Sequence, residues 1–305
     1  MRVLIIANCT NRKRATRSKT ANVRDLAPGT VTKVATEWID VLSESAPLRP
    51  LTDVYCGRGF NEVLGAARDL DAVLLVVSAG LGLVDARTLI PTYGATISGH
   101  GDDNVLKKLQ DCDAKTWWTK ICRLSPYSTS LTTESYDLIL VAVSRPYFPL
   151  IELALENLDG TERKKVRLFS SMSAHELSES LAEYLMPYGS RFDDDAGPLP
   201  GTKSDFTQRA LRHFVNIIVE KNAQNECANV HAMHIERELK NLSNPVRHNR
   251  QRLTDDQIET LVRKHWEDVR GSSSRMLRFL RDNLGVACEQ RRFQSIFNRT
   301  KEAIK

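Results

Sequence analysis

The sequence predicts an α/β protein: a three-layer α/β/α domain with a parallel central sheet, followed by a small basic all-α C-terminal domain. Three observations predict it. Short β-rich apolar runs without polar alternation recur along the first two thirds of the chain (VLIIA at 3–7, VLLVVS at 73–78, LILVAV at 138–143), as strands covered on both faces require. Longer amphipathic stretches separate them, which is the spacing of parallel strands joined by crossover helices. The charge is unevenly placed: residues 245–305 carry 14 Lys/Arg against 8 Asp/Glu, and the rest carry 29 against 30, so the net +5 comes from the last fifth. A basic terminal segment on a neutral body points to an anionic polymer, nucleic acid first.

The elements follow in order. The first strand, 3–7, begins almost at Met1; 48–55 and the weaker run VRLFS at 166–170 complete five strands. Helices are expected at 31–43, 60–70, 104–123, 149–158 and 173–185. The stretch RFDDDAGPLPGTK (191–203) is a loop by its Asp, Gly and Pro content. Ser204 then caps a helix with Asp205 in its first turn and Phe206, Ala210, Leu211, Phe214 and Ile218 on one face. These elements make residues 1–222 the α/β/α domain. The polar stretch 223–252 reads as a linker region. Helices at 253–269, 274–283 and 288–304, broken at Gly285, make 253–305 a helix-turn-helix-like DNA-binding domain.

Composition narrows the function classes. Hydrophobic residues are 41% and charged residues 27%, an ordinary globular balance. No apolar run approaches the roughly 18 residues of a membrane span. The start, MRVLIIANCTNRKR, is too short in its apolar part and too basic after it for a secretory signal, so a cytoplasmic location and no membrane partner are expected. Six cysteines without a C-x-x-C pair argue against zinc ribbons, iron–sulfur clusters and disulfide scaffolds. Cys227, His231 and His234 share a helical spacing but read as a polar helix, and neither a metal nor an organic cofactor is expected. Gly80 and Gly82 lack the third glycine of a dinucleotide fingerprint, and no P-loop or G-x-S-x-G elbow is present.

In such sheets ligands bind beyond the carboxyl ends of the strands. Four loops belong there: Asn8, Cys9 and Thr10 with the basic Arg12, Lys13, Arg14, Arg17 and Lys19; residues 55–60; residues 79–93; and Ser144, Arg145, Pro146 and Tyr147. Asn8 offers a paired donor and acceptor for a water or a base edge. Asp85 and Asp53 are candidates for activating that water or stabilising positive charge on a sugar. Tyr55, Tyr93 and Tyr147 are candidate stacking faces, worth roughly 1–3 kcal/mol each. Arg58 and Arg145 are candidates for clamping phosphate or an anionic leaving group. Cys9 has no histidine in these loops to activate it and reads as a small, partly buried wall residue. Arg12, Lys13, Arg14 and Lys203, with Arg275, Arg278, Arg281, Arg291 and Arg292 in the terminal domain, are the candidate DNA-phosphate contacts.

Several of these segments resemble a known family. They are Asn8-Cys-Thr10 followed by basic residues, Tyr55-x-Gly57, Ser78-Ala-Gly-Leu-Gly-Leu-Val84, Ile90-Pro-x-Tyr93, and Gly201-Thr-Lys-Ser-Asp205-Phe-x-Gln-Arg209-Ala. Together they resemble a bacterial group of domains similar to the uracil-DNA-glycosylase-like domain of archaeosine synthase. Within that group they are most similar to phage-defence DNA glycosylases that excise α-glucosylated hydroxymethylcytosine. The resemblance covers about residues 1–215. It implies a uracil-DNA-glycosylase-like fold and a DNA N-glycosylase that flips a modified base and hydrolyses its glycosidic bond, leaving an abasic site as antiviral defence. The implied partner is double-stranded phage DNA, with no obligatory protein partner and no cofactor. The implied roles are water positioning by Asn8 with Asp85 or Asp53, help to the leaving group by Ser144 or Arg145, and base binding by Cys9, Tyr55, Arg58, Tyr93, Tyr147, Asp205 and Arg209. The G-x-D-P-Y and H-P-S-P motifs of uracil-DNA glycosylases are absent, as is the cysteine quartet of the iron–sulfur members. The residues alone also admit a nucleoside hydrolase or deoxyribosyltransferase acting on small nucleosides, or a non-enzymatic DNA-binding regulator.

Overall fold

Val3 to Ala7 are each at most 1% exposed, and this run forms β1 (Val3–Asn8), the middle strand of a five-stranded sheet. The structure is a computed structural model describing residues 1–14, 20–99, 101–110, 112–194, 196–245 and 250–304. Its contacts divide the chain into two units, Met1–Pro245 and Val246–Lys305. The other strands of this sheet are β2 (Val73–Ser78), β3 (Gly82–Asp85), β4 (Leu138–Ala142) and β5 (Val166–Leu168), in the order β3-β2-β1-β4-β5. β1 runs parallel to β2 and β4, with Ala7 opposite Val76 and Ala142. Only β3 is antiparallel, hairpinned onto β2 with Ser78 opposite Gly82 and Leu75 opposite Asp85.

The fifth strand is therefore not 48–55 but β3. Pro50 cannot donate to a ladder, and the segment forms a two-residue pair with Leu89–Ile90 and then a four-residue helix, Leu51–Val54. The hairpin before β3 is held by tryptophans that the local sequence does not contain. Trp117 donates its indole N–H to the Ala79 carbonyl and Trp38 to the Gly80 carbonyl, both at 2.7 Å. Gly82 has φ 84°, and a Cβ there would sit 2.5 Å from Ser128 Oγ, so only glycine completes the reversal.

The larger helices are α1 (Val31–Ser43), α2 (Arg58–Asp69), α3 (Ala114–Leu124), α4 (Phe148–Glu156), α5 (Phe206–Glu220) and α6 (Ala228–Leu239). They pack in two groups: α3 against α1 and α4, and α5 against α2 and α6. A mostly parallel sheet with two helix groups is compatible with three layers. Thr30 and Asp113 cap α1 and α3 by accepting the Lys33 and Thr116 backbone N–H groups. The cap at Asp113 explains why the expected helix 104–123 starts late, after a separate turn at Val105–Lys108. The expected helix 173–185 is reduced to Ala174–Glu176 and Glu179–Ala182, because Ser178 is extended (ψ 151°) and interrupts it.

The boundary expected at 222 lies instead at 245, because α6 is tied to the sheet edge. Arg167 on β5 is buried and must find acceptors. It donates Nε–H to His231 Nδ1 at 2.8 Å and Nη2–H to the Glu226 carbonyl at 2.9 Å. His231 then donates its Nε2–H to the Ala223 carbonyl, 2.8 Å away. The expected linker 223–252 is thus a packed helix of the first unit plus the entry to the second.

The second unit packs α7 (Asp255–Lys264), α8 (Ser273–Asp282) and α9 (Gln290–Ile304) around Ile258, Val262, Met276, Leu280, Phe293 and Ile296. It is not all-α. Strands β6 (Gln251–Arg252) and β7 (Val286–Ala287) pair in parallel, where the end of a linker and a glycine break were expected. Trp266 stacks on Phe297 with ring centroids 5.1 Å apart. No helix among the described residues is long and apolar enough to cross a membrane.

Candidate functional site

A cavity of about 630 Å³ opens at the carboxyl ends of β1 and β4. Of the residues expected to converge there, it is lined by Asn8, Cys9, Arg12, Arg58, Ser144, Tyr147 and Asp205. Gln208 lines it too and was not anticipated. A signal existed: Asp205, Gln208, Arg209 and Arg212 recur at helical spacing on one side of α5, interrupting its apolar pattern.

Asn8 ends β1 and acts as a clamp. Its Oδ1 accepts from the Ser144 backbone N–H at 2.8 Å and from Gln208 Nε2 at 3.2 Å, and its Nδ2 donates to the Cys9 carbonyl at 2.9 Å. Its acceptor is therefore fully used within the protein, and only one Nδ2 hydrogen is left for a ligand or a water. Next to it Cys9 Sγ lies 3.7 Å from the Tyr147 hydroxyl, which also meets Thr96 Oγ1 at 3.2 Å. Burial and the nearby Cys9 push the Tyr147 phenol well above its ordinary pKa, so it is a neutral wall.

Among the described residues, Asp205 is the only carboxylate lining the cavity. It accepts from Arg58 Nη2 at 2.6 Å and Nε at 2.9 Å, and from Arg209 Nε at 2.9 Å. Burial alone would push this carboxyl up; the hydrogen bonds from Arg58, the Thr202 backbone and Arg209 outweigh it and hold the group ionised. Arg209, 1% exposed, is not a base contact. It is spent on Asp205, Asp193 Oδ1 at 2.5 Å and the Leu199 and Thr202 carbonyls, locking the loop that precedes α5. With Arg209 and Asp193 cancelling behind the wall, Arg12 and Arg58 outnumber Asp205, and the cavity carries net positive charge. The start of α2 adds to this: Gly57, at φ 109°, gives it no side-chain cap, and Arg58, Gly59 and Phe60 line the cavity with the amino end of the helix.

Other expected residues lie elsewhere. Tyr55 and Tyr93 are each 1% exposed; their hydroxyls bond to one another, and Tyr93 meets Ser78 Oγ at 2.6 Å, so they are core and not stacking faces. Lys13 does not face solvent phosphate. Its ammonium lies over the Tyr93 ring, 4.4 Å from the centroid, and donates to the Thr10 carbonyl at 3.2 Å, with burial lowering its pKa. Asp85 is carried away by the β3 hairpin to pair in register with Leu75, and the side-chain hydrogen bond from Arg87 holds its carboxyl low. Asp53 is exposed on Leu51–Val54, outside the cavity. Arg145 turns out to an ion pair with Glu176. Arg14 and Lys203 are exposed, and Arg17 and Lys19 lie outside the described residues.

No protein-family model matches the chain, and no curated protein matches it.

In the second unit a separate groove of about 610 Å³ is lined by Arg250, Arg278, Arg281, Ser273, Ser274 and Gln294, among others. Arg275, Arg278 and Arg291 are exposed and make no salt bridge among the described residues. Arg281 and Arg292 are partly structural: the first donates to the Cys288 carbonyl at 2.8 Å, and the second pairs with Asp255 at 2.6 Å and donates to the Leu253 carbonyl at 2.8 Å. Among the described residues no group of three or more His, Cys, Asp or Glu side chains could hold a metal ion.

Proposed function

We propose that the chain is a DNA N-glycosylase with a uracil-DNA-glycosylase-like α/β/α domain, acting on a modified base, with glucosylated hydroxymethylcytosine of phage DNA as the target. The observation that carries this reading is the convergence of Asn8, Ser144 and Asp205 in one positively charged cavity at the carboxyl edge of the sheet. A volume of about 630 Å³ lies within the roughly 300–1,000 Å³ of organic-ligand sites and leaves room for a substituent on the base. The glycosidic carbon is out of reach in stacked DNA, so the target nucleotide is flipped into the cavity.

The electrostatics favour help to the departing base over direct attack by a carboxylate. Arg12, Arg58 and the amino end of α2 stabilise negative charge on the leaving base or the flanking phosphate. The ionised Asp205, rather than Asp85 or Asp53, is the carboxylate at the cavity wall; with its oxygens engaged by Arg58, Arg209 and the Thr202 backbone, it acts on a developing positive sugar through its charge and not by direct contact. The free Nδ2 hydrogen of Asn8 orients the water or the base edge. The second unit, in which Arg275, Arg278 and Arg291 make no salt bridge among the described residues, binds duplex phosphates without reading sequence.

The test is incubation with unmodified, hydroxymethylated and glucosylated phage DNA, followed by an assay for abasic sites. Abasic sites confined to modified DNA are expected. None on any DNA, with cleavage of free nucleosides instead, would assign the cavity to small-nucleoside chemistry.

A further inference from the structure

We infer that the groove between α8 and the start of α9 is a channel for one sugar–phosphate strand of nucleic acid, held by Arg278 and Arg281 and indifferent to the bases. The inference rests on the nucleic-acid reading of the second unit and names the face that does the binding. The cations of this unit fall into two sets. On α7 and α9, Arg263 and Arg299 both pair with Glu259, at 2.8 and 3.0 Å, and Arg292 pairs with Asp255 at 2.6 Å. Those charges are cancelled where they stand. In the groove, Arg250 and Asp282 pair at 3.0 Å and cancel each other, which leaves Arg278 and Arg281 as its net charge. Arg281 donates one Nη2–H to the Cys288 carbonyl, a neutral partner that anchors the side chain without cancelling its charge. Arg278 is exposed, and its guanidinium has no hydrogen-bonding or ionic partner among the described residues.

The rest of the lining decides which anion fits. Ser274, Arg278 and Arg281 recur at helical spacing along one face of α8, so the donors lie in a row and not at a point. At 1.5 Å of rise per residue the row spans about 10 Å. Phosphates of one strand recur about every 3.4 Å along a duplex axis, so the row matches a strand better than a lone anion. Gln294 on α9 is fixed by neighbours: its Oε1 accepts from Ser273 Oγ at 3.0 Å, and its Nε2 donates to Asn298 Oδ1 at 2.9 Å. One Nε2 hydrogen is left over for a ligand. The groove thus presents chiefly donors, and a phosphodiester strand, whose backbone only accepts, complements it. Proteins that hold unpaired bases stack them on exposed aromatic faces. Among the described residues the only aromatic lining this groove is Phe293, which is 1% exposed and belongs to the core.

The probes are a labelled oligothymidylate, a labelled strand of equal length built from base-free tetrahydrofuran residues, and a labelled polyglutamate peptide. Fluorescence anisotropy is read on the full-length protein at several salt concentrations. Wild type is compared with Arg278→Gln, Gln294→Glu and Arg263→Gln, each checked by a thermal melt. Wild type is expected to bind the two strands within about threefold of each other, and the peptide at least about tenfold more weakly. Arg278→Gln and Gln294→Glu should each weaken both strands about tenfold, and Arg278→Gln should lower the salt slope by about 0.7. Arg263→Gln should change affinity by less than about twofold. Unchanged strand affinity in Arg278→Gln, loss of binding when the bases are removed, or equal binding of the peptide overturns the inference. Should one groove variant fail to fold, the other and the base-free strand decide. The abasic-site assay separates the two readings. Strand binding through Arg278 without abasic sites in modified DNA keeps the groove and rejects the glycosylase; abasic sites with undiminished binding by Arg278→Gln do the reverse.

Discussion

Replacing Asn8 by alanine removes three hydrogen bonds from the cavity floor, and two of them leave donors behind. The Ser144 backbone N–H and Gln208 Nε2 lose their common acceptor, while the Cys9 carbonyl loses its donor. An orphaned buried donor costs about 1–3 kcal/mol. Both donors lie at the cavity wall, where water can replace part of the lost bond, so the low end applies: about 1 kcal/mol each, about 2 kcal/mol together. For a unit of this size (Met1–Pro245) that corresponds to a melting point lower by about 4–8 °C. Asn8→Asp keeps an acceptor for both donors and loses only the bond to Cys9, so it should fall by less than half as much. Base release by Asn8→Ala should drop by at least about a hundredfold, on the order of 3 kcal/mol, at temperatures where the variant is folded. Thermal melts of wild type, Asn8→Ala and Asn8→Asp, with single-turnover excision on the same samples, measure both effects. An Asn8→Ala protein melting within about 1 °C of wild type would refute the clamp; near-normal excision would remove Asn8 from the chemistry.

Tyr147→Ala should slow base release by roughly ten- to a hundredfold if its ring forms the wall against the base, whereas Tyr55→Phe and Tyr93→Phe should lower stability by about 1 kcal/mol and leave excision nearly unchanged; equal excision losses in all three would contradict the burial of the Tyr55–Tyr93 pair. Burial pushes His213 and His231 from 6.5 down to about 4, so both are neutral in the fold at neutral pH. Below about pH 6.5 the unfolded chain takes up protons that the folded chain refuses; urea midpoints should therefore be highest above pH 6.5 and fall towards pH 4, by up to the order of 3 kcal/mol per histidine, and a flat profile would reject this. Removal of residues 246–305 should leave a folded 1–245 unit but weaken duplex binding and flatten its salt dependence, as read by mobility shifts at several ionic strengths; unchanged binding would take the DNA-docking role from the second unit.

What could be read in advance follows from how local each cause is. The strand at 73–78 and the helix at 31–43 emerge at their expected bounds, because a continuous apolar run and an amphipathic stretch opened by Thr30 are complete within themselves. β3 could not be read that way. Its reversal depends on the indoles of Trp38 and Trp117, about forty residues away on either side, so the glycines at 80 and 82 looked like an open loop. Asp85 was misplaced for the same reason. The tyrosines failed differently: a tyrosine beyond a strand has the same sequence signature whether its hydroxyl meets water or Ser78. Asp205 and Arg209 were found through resemblance, but only the fold separates the one facing the cavity from the one locked behind it. The linker was misread because polar residues along 223–245 hide the buried positions His231, Ile235 and Leu239.

The Asn8 clamp joins positions 136 and 200 residues apart along the chain. During synthesis, the floor of the cavity stays incomplete until residue 208 has left the ribosome and α5 has docked, long after β1 has emerged. Shortened products from interrupted translation, or proteolytic pieces cut before α5, hold most of the sheet yet lack the floor. If the cavity performs the base excision proposed above, that order withholds the activity from incomplete chains.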